Sequence, residues 1–194
     1  MALAKSRSSN SRGDAGFSLV EVMVATAILA GALVTLAQLF AISTSSNFGA
    51  KQTTYAGILA QQKIEALRSL TYGFDSQGLP VTDNTTDTTV SPETGAGGTG
   101  LTPSPPTALQ ENTPGYVDYV DAYGNKLGGG ATPPAAAMFT RRWSIEPLPT
   151  NPNNTIVIQV LVTPNRNRGQ SDLGNVGRLP GEARVVTVKT RKAQ

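Results

Sequence analysis

The sequence predicts an α+β protein: a long N-terminal helix packed on a small antiparallel β-sheet, with long loops between them. Three observations carry this. An apolar stretch without proline opens the chain and runs on into strong helix formers. A middle region rich in Gly, Pro, Thr, Ser, Asn and Asp follows. The last third then holds three runs of β-branched and aromatic residues separated by turn signals.

The first element is the apolar run over residues 17 to 42, FSLVEVMVATAILAGALVTLAQLFAI, whose only charge is Glu21. At 1.5 Å per helical residue it spans roughly 39 Å, more than a hydrocarbon core of about 30 Å. The run is too long for a secretory signal peptide, whose apolar part covers only about 7–15 residues. Lys5, Arg7 and Arg12 precede it and favour a cytoplasmic N-terminus, with the bulk of the chain facing outward. Glu21 is the anomaly, because a carboxylate costs on the order of 2.5–3.5 kcal/mol at the centre of a membrane helix and somewhat less near its end. A plain anchor gains nothing from it. A carboxyl solvated by headgroups is the simple account; a specific partner is the stronger one, since intramembrane ionisable groups usually mark function.

The helix is expected to continue over residues 43 to 72, about 80 Å in all if it runs from Phe17 to Leu70. Ala56, Ala60, Ile64, Leu67 and Leu70 fall on one arc, with Gln61, Glu65 and Arg68 opposite, and Ile58 and Lys63 break the pattern. Its weakest region is expected between Ser43 and Gly57, where four hydroxyl residues and two glycines lower helix propensity. Residues 73 to 138 read as irregular loops with one short strand, Tyr116-Val117-Asp118-Tyr119-Val120. Asp118, Asp121 and Asn125 have the oxygen chemistry of a calcium site, but turn chemistry explains Asp121-Ala122-Tyr123-Gly124-Asn125 better, and no metal site is assigned. Over residues 139 to 194 a sheet is expected. Residues 139 to 146 place Phe139, Trp143 and Ile145 on one face with Arg141 as an intruder. Residues 155 to 163 are apolar on both faces and read as central, and residues 183 to 190 form the last strand. Asn151-Pro152-Asn153-Asn154 closes a hairpin, and the polar segment 164 to 182 is long enough to cover or cross a sheet edge.

Composition excludes several classes. With no cysteine and no histidine there is no disulfide framework, thiolate metal site or imidazole-based triad. Phosphate-binding glycine loops and paired catalytic acids are also missing, so no cofactor and no enzymatic activity are expected. The net charge of +3 hides an asymmetry: residues 71 to 138 sum to −6 and residues 139 to 194 to +6. Self-complementarity within or between subunits explains this more simply than nucleic-acid binding.

The hexapeptide Gly16-Phe17-Ser18-Leu19-Val20-Glu21, preceded by a basic leader and followed at once by the apolar run, resembles the cleavage and methylation signal of type IV prepilins and type II secretion pseudopilins. The resemblance implies a pilin-like fold and a leader of residues 1 to 16, cut after Gly16 by a prepilin peptidase. It also implies Phe17 as the N-methylated mature terminus and Glu21 as the assembly residue, pairing with the amine of an adjacent subunit. The implied partners are other pilins or pseudopilins, an inner-membrane assembly platform and membrane lipid. The implied location is the bacterial inner membrane, then a periplasmic or cell-surface filament. The helix lacks the proline frequent in major pilins and carries Gln38 there, which points to a minor pilin or pseudopilin; the Arg141-Arg142-Trp143 and final Val-Thr-Val strands are similar to the PilV type. Two alternatives stand beside this: a DNA-binding tip or competence pilin using C-terminal bases such as Arg141 and Arg142, and a simple single-pass anchored domain.

Overall fold

The computed structural model describes residues 16–165 and 181–192. One helix and six strands follow in order: α1 (Leu19–Ser69), β1 (Tyr72–Phe74), β2 (Pro80–Thr82), β3 (Val117–Val120), β4 (Phe139–Pro147), β5 (Thr155–Pro164) and β6 (Ala183–Thr190). The chain divides into two units, Met1–Ser46 and Asn47–Gln194. In the first, every described residue is exposed. The apolar part of α1 is long enough to cross a membrane, and none of its 18-residue apolar window is buried within the protein. The Ser43–Gly57 stretch remains helical, since one full ladder of backbone bonds outweighs a few weak formers.

In the second unit, α1 buries Ala56, Leu59, Ala60, Lys63, Ile64 and Leu67, three or four residues apart and hence on one face. Three details differ from the expected stripe, the first being that Leu59 belongs to it. Lys63 lies inside it, and Leu70 is only partly buried. Gln61, Glu65 and Arg68 hold the solvent face, where Gln61 Nε2 donates to Glu65 Oε1 at 2.9 Å. The stripe packs on a four-stranded antiparallel sheet ordered β3-β4-β5-β6. Trp143, Ile145, Ile156, Ile158, Val160 and Val162 fill the core between them. Strands β4, β5 and β6 occupy the three β-branched runs, and residues 148–154 close the β4–β5 hairpin, with Leu148 N–H donating to Thr155 O at 2.9 Å.

The middle region is more ordered than its composition suggests. β1 and β2 pair as a small hairpin that was expected to be loop. Asp83 fixes the next turn by accepting from the N–H groups of Thr85 and Thr86. Leu101, Ala108 and Tyr116 are buried in the main core. The β1–β2 hairpin is clamped from the other end of the sequence. Arg191 lies 4.2 Å above the Tyr72 ring and donates to the carbonyls of Gly73 and Val81. Lys189 caps the end of α1, donating to Arg68 O at 2.6 Å and to the Leu70 carbonyl. Most of the 164–182 segment, and its bases Arg166, Arg168 and Arg178, lie outside the described residues.

Candidate functional site

Gly16, Phe17 and Ser18 precede the first helical residue and are all exposed, Phe17 at 82%. The local sequence explains why the helix starts where it does. Ser18 is the N-cap: its carbonyl accepts the first helical bond from Val22 N–H at 3.2 Å, and its Oγ accepts from Glu21 N–H at 3.2 Å. Ser18-Leu19-Val20-Glu21 thus has the S-x-x-E spacing of a capping box, with Glu21 at the third helical position, where the helix dipole favours an acid. The Gly16–Phe17 peptide consequently lies outside the helical ladder. Phe17 and Glu21 line one shallow apolar groove together with Val22, Ala25, Thr26 and Leu29. Among the described residues no ion pair involves Glu21.

The two residues that broke their patterns, Lys63 and Arg141, meet in the core of the second unit. Asp118 on β3 bridges them. Its Oδ2 lies 3.0 Å from Lys63 Nζ, while Arg141 donates from Nε to Oδ1 at 2.7 Å and from Nη2 to Oδ2 at 2.8 Å. All three side chains are within 1% of complete burial. Further donors are used as well: Lys63 donates to Thr88 O and Oγ1, and Arg141 Nη1 to the Leu59 carbonyl and Gln62 Oε1. Lys63 Nζ also sits 3.6 Å from the Trp143 ring centroid. The cluster therefore ties α1, β3 and β4 together through one buried carboxylate.

This geometry corrects two sequence-level alternatives. Asp118 cannot join a calcium site, because its oxygens are occupied by two cations; Asp121 and Asn125 hold a turn, with Asp121 Oδ1 accepting from Tyr123 N–H at 2.8 Å. No group of acids among the described residues could hold a metal ion. Arg141 cannot track a phosphate backbone, being 0% exposed, and the partly buried Arg142 donates to Asn112 Oδ1 at 2.9 Å. Lys189 and Arg191 are likewise spent on backbone carbonyls, so four of the C-terminal bases among the described residues serve internal contacts.

Burial pushes the Lys63 ammonium down to about 8, a shift that Asp118 opposes and Arg141 reinforces. Burial alone would raise the Asp118 carboxyl, but Lys63 and Arg141 outweigh it and hold the group below the usual carboxylate range. Lys189 is likewise lowered to about 8 by burial and by Arg68. Between about pH 8 and 10.5 the unfolded chain therefore binds more protons at these lysines than the folded one, and stability rises with pH. Physically, a buried cluster of two cations and one anion becomes a neutral Asp118–Arg141 pair. Tyr116, raised by burial, begins to oppose the trend near pH 10. On the acid side, the stability contributed by Asp118 is lost as pH falls through its lowered value. The denaturation midpoint of the detergent-solubilised chain is expected to climb from pH 7.5 to about 9.5, and a Lys63→Met variant to climb less. A midpoint that falls over this interval contradicts the assignment.

Comparison with known proteins finds the prokaryotic N-terminal methylation motif over residues 11–30, a stretch that contains Gly16, Phe17, Ser18 and Glu21. No curated protein and no solved structure matches the chain. The subtype is thus not fixed by similarity, but the motif and the exposed apolar helix behind it are those of a membrane-anchored precursor. With this motif at the head of one long helix, and an antiparallel sheet packed on that helix's second part, the chain has the N-terminal motif and the α+β arrangement of a type IV pilin-like protein.

Proposed function

We propose that the chain is a structural subunit, a minor pilin or pseudopilin, of a type IV pilus or type II secretion-like filament, with no chemistry of its own. It enters the inner membrane through residues 17 to 42. A prepilin peptidase cuts between Gly16 and Phe17, and the Phe17 amine is methylated. The subunit then assembles on an inner-membrane platform with other pilins through the N-terminal helix. The observation that carries this reading is the methylation motif over residues 11–30.

The geometry supports each step in physical terms. The scissile peptide is exposed and non-helical because Ser18 starts the helix after it. Cleavage creates an amine one helical turn from Glu21, on the groove that both residues line. A carboxylate in low dielectric and a new ammonium compensate each other's burial when subunits stack. The test is recovery in filaments sheared from producing cells: the wild-type chain is expected in the sheared fraction and the Glu21→Ala chain only in the membrane. Wild-type chain that never leaves the membrane when the filament machinery is present would sink the proposal.

A further inference from the structure

The four-stranded sheet ends on β6, and among the described residues no strand pairs with its outer edge from Ala183 to Thr190. The backbone directions along that edge follow from two bonds just beyond it. Arg191 N–H donates to Asn154 O at 2.9 Å, on the β5 side, and Lys192 N–H donates to Tyr72 O at 3.3 Å, on the other side. Successive residues of a strand alternate in this respect. The N–H and C=O groups of Thr190, Val188 and Val186 therefore point to the open edge, and none has a partner there among the described residues. Val186 and Val188 are also 53% and 56% exposed. An edge of this kind is a template for one more strand.

A cleft adjoins the edge. It lies between residues 68 to 74 and 188 to 192, holds roughly 630 Å³, and is walled by Leu70, Phe74 and Val188. Arg68, Lys189 and Lys192 line it, and no acid does among the described residues. Two of these charges are already engaged: Glu65 lies 3.4 Å from Arg68, and Lys189, which also feels Asp83, is spent on the carbonyls at the end of α1. Lys192 is exposed and has no ion pair among the described residues. Ala193 and Gln194, which lie outside them, add no charged side chain.

We infer that the open edge of β6 takes up an extended acidic segment of another protein as an added strand, its backbone pairing with Val186, Val188 and Thr190 and a carboxylate meeting Lys192. In such pairing the main chain supplies affinity, and charge selects the partner. The described part of a second copy offers no such segment. Of the seven acids between residues 71 and 138, Asp75, Asp83, Asp87 and Asp121 accept N–H bonds within their own turns. Glu93 pairs with Lys126, Glu111 accepts from Thr107, and Asp118 is buried. Glu65 stands on α1 and Glu146 on the interior strand β4. Two β6 edges, both basic, repel each other.

The full chain in detergent is mixed with a short peptide of alternating valine and glutamate, and hydrogen exchange is followed residue by residue by NMR. At saturating peptide, exchange at the Val186, Val188 and Thr190 amides is expected to slow about tenfold or more, with Gln77 unchanged. The same peptide N-methylated at every residue, or with lysine in place of glutamate, is expected to give no slowing. Lys192→Glu is expected to weaken binding of the acidic peptide several-fold. Unchanged exchange with the acidic peptide overturns the inference. So does slowing that survives N-methylation, since no strand has then been added, or slowing by the lysine peptide, since the partner is then not selected by its acid. Slowing without peptide that grows with protein concentration also overturns it, because a second copy is then the occupant.

Discussion

Replacing Asp118 with alanine is expected to destabilise the second unit by about 3–5 kcal/mol, the cost of removing one partner from a buried ionic cluster. The deletion leaves the Lys63 ammonium and the Arg141 guanidinium together in the core, with side chains 0% and 1% exposed and no counter-charge. Water cannot reach either group without opening the contact between α1 and the sheet. Typical domains hold only about 5–15 kcal/mol in total, so the loss is a large share. Trp143 is the single tryptophan and stacks on Lys63, so its fluorescence reports the cluster directly during denaturation. A triple apolar replacement, Lys63→Met with Asp118→Leu and Arg141→Met, is expected to recover much of the loss, because no unpaired charge remains. A loss under about 1 kcal/mol for Asp118→Ala would be the value of an exposed pair and would contradict the buried geometry.

Glu21→Ala is expected to act in the opposite sense on two steps. Insertion becomes easier, since the acid's cost in the membrane helix disappears. Filament incorporation falls on the order of a hundredfold or more, the equivalent of about 3–5 kcal/mol for leaving an ammonium unpaired in low dielectric. Cleavage after Gly16 is expected to continue, because Ser18 still caps the helix through the backbone N–H of residue 21. A variant that inserts, is cut and still assembles at the wild-type level would remove Glu21 from the proposed role.

Much of the architecture was legible because it follows local periodicity. The apolar run, the helix beyond it and the strands β4 to β6 each rest on residues close together in sequence. What escaped was long-range. Lys63 and Arg141 each stood out against an apolar face, but nothing local says that residues 78 positions apart share Asp118, which itself read as a calcium or turn residue. The β1–β2 hairpin is hidden for the same reason: Gly73 and Pro80 are poor strand formers, and Arg191 from the far end of the chain holds the pair. At the processing site the reverse occurred. The S-x-x-E spacing of Ser18 and Glu21 was visible, yet Glu21 drew notice for its charge and for the hexapeptide it ends, and its place in the cap emerged from the backbone geometry.

The mass of the N-terminal peptide, after production of the chain together with a prepilin peptidase, bears most directly on the account. A mature chain beginning at Phe17 with one methyl group on its amine is the expected result. A chain that keeps residues 1 to 16, or that begins at any other residue, contradicts it.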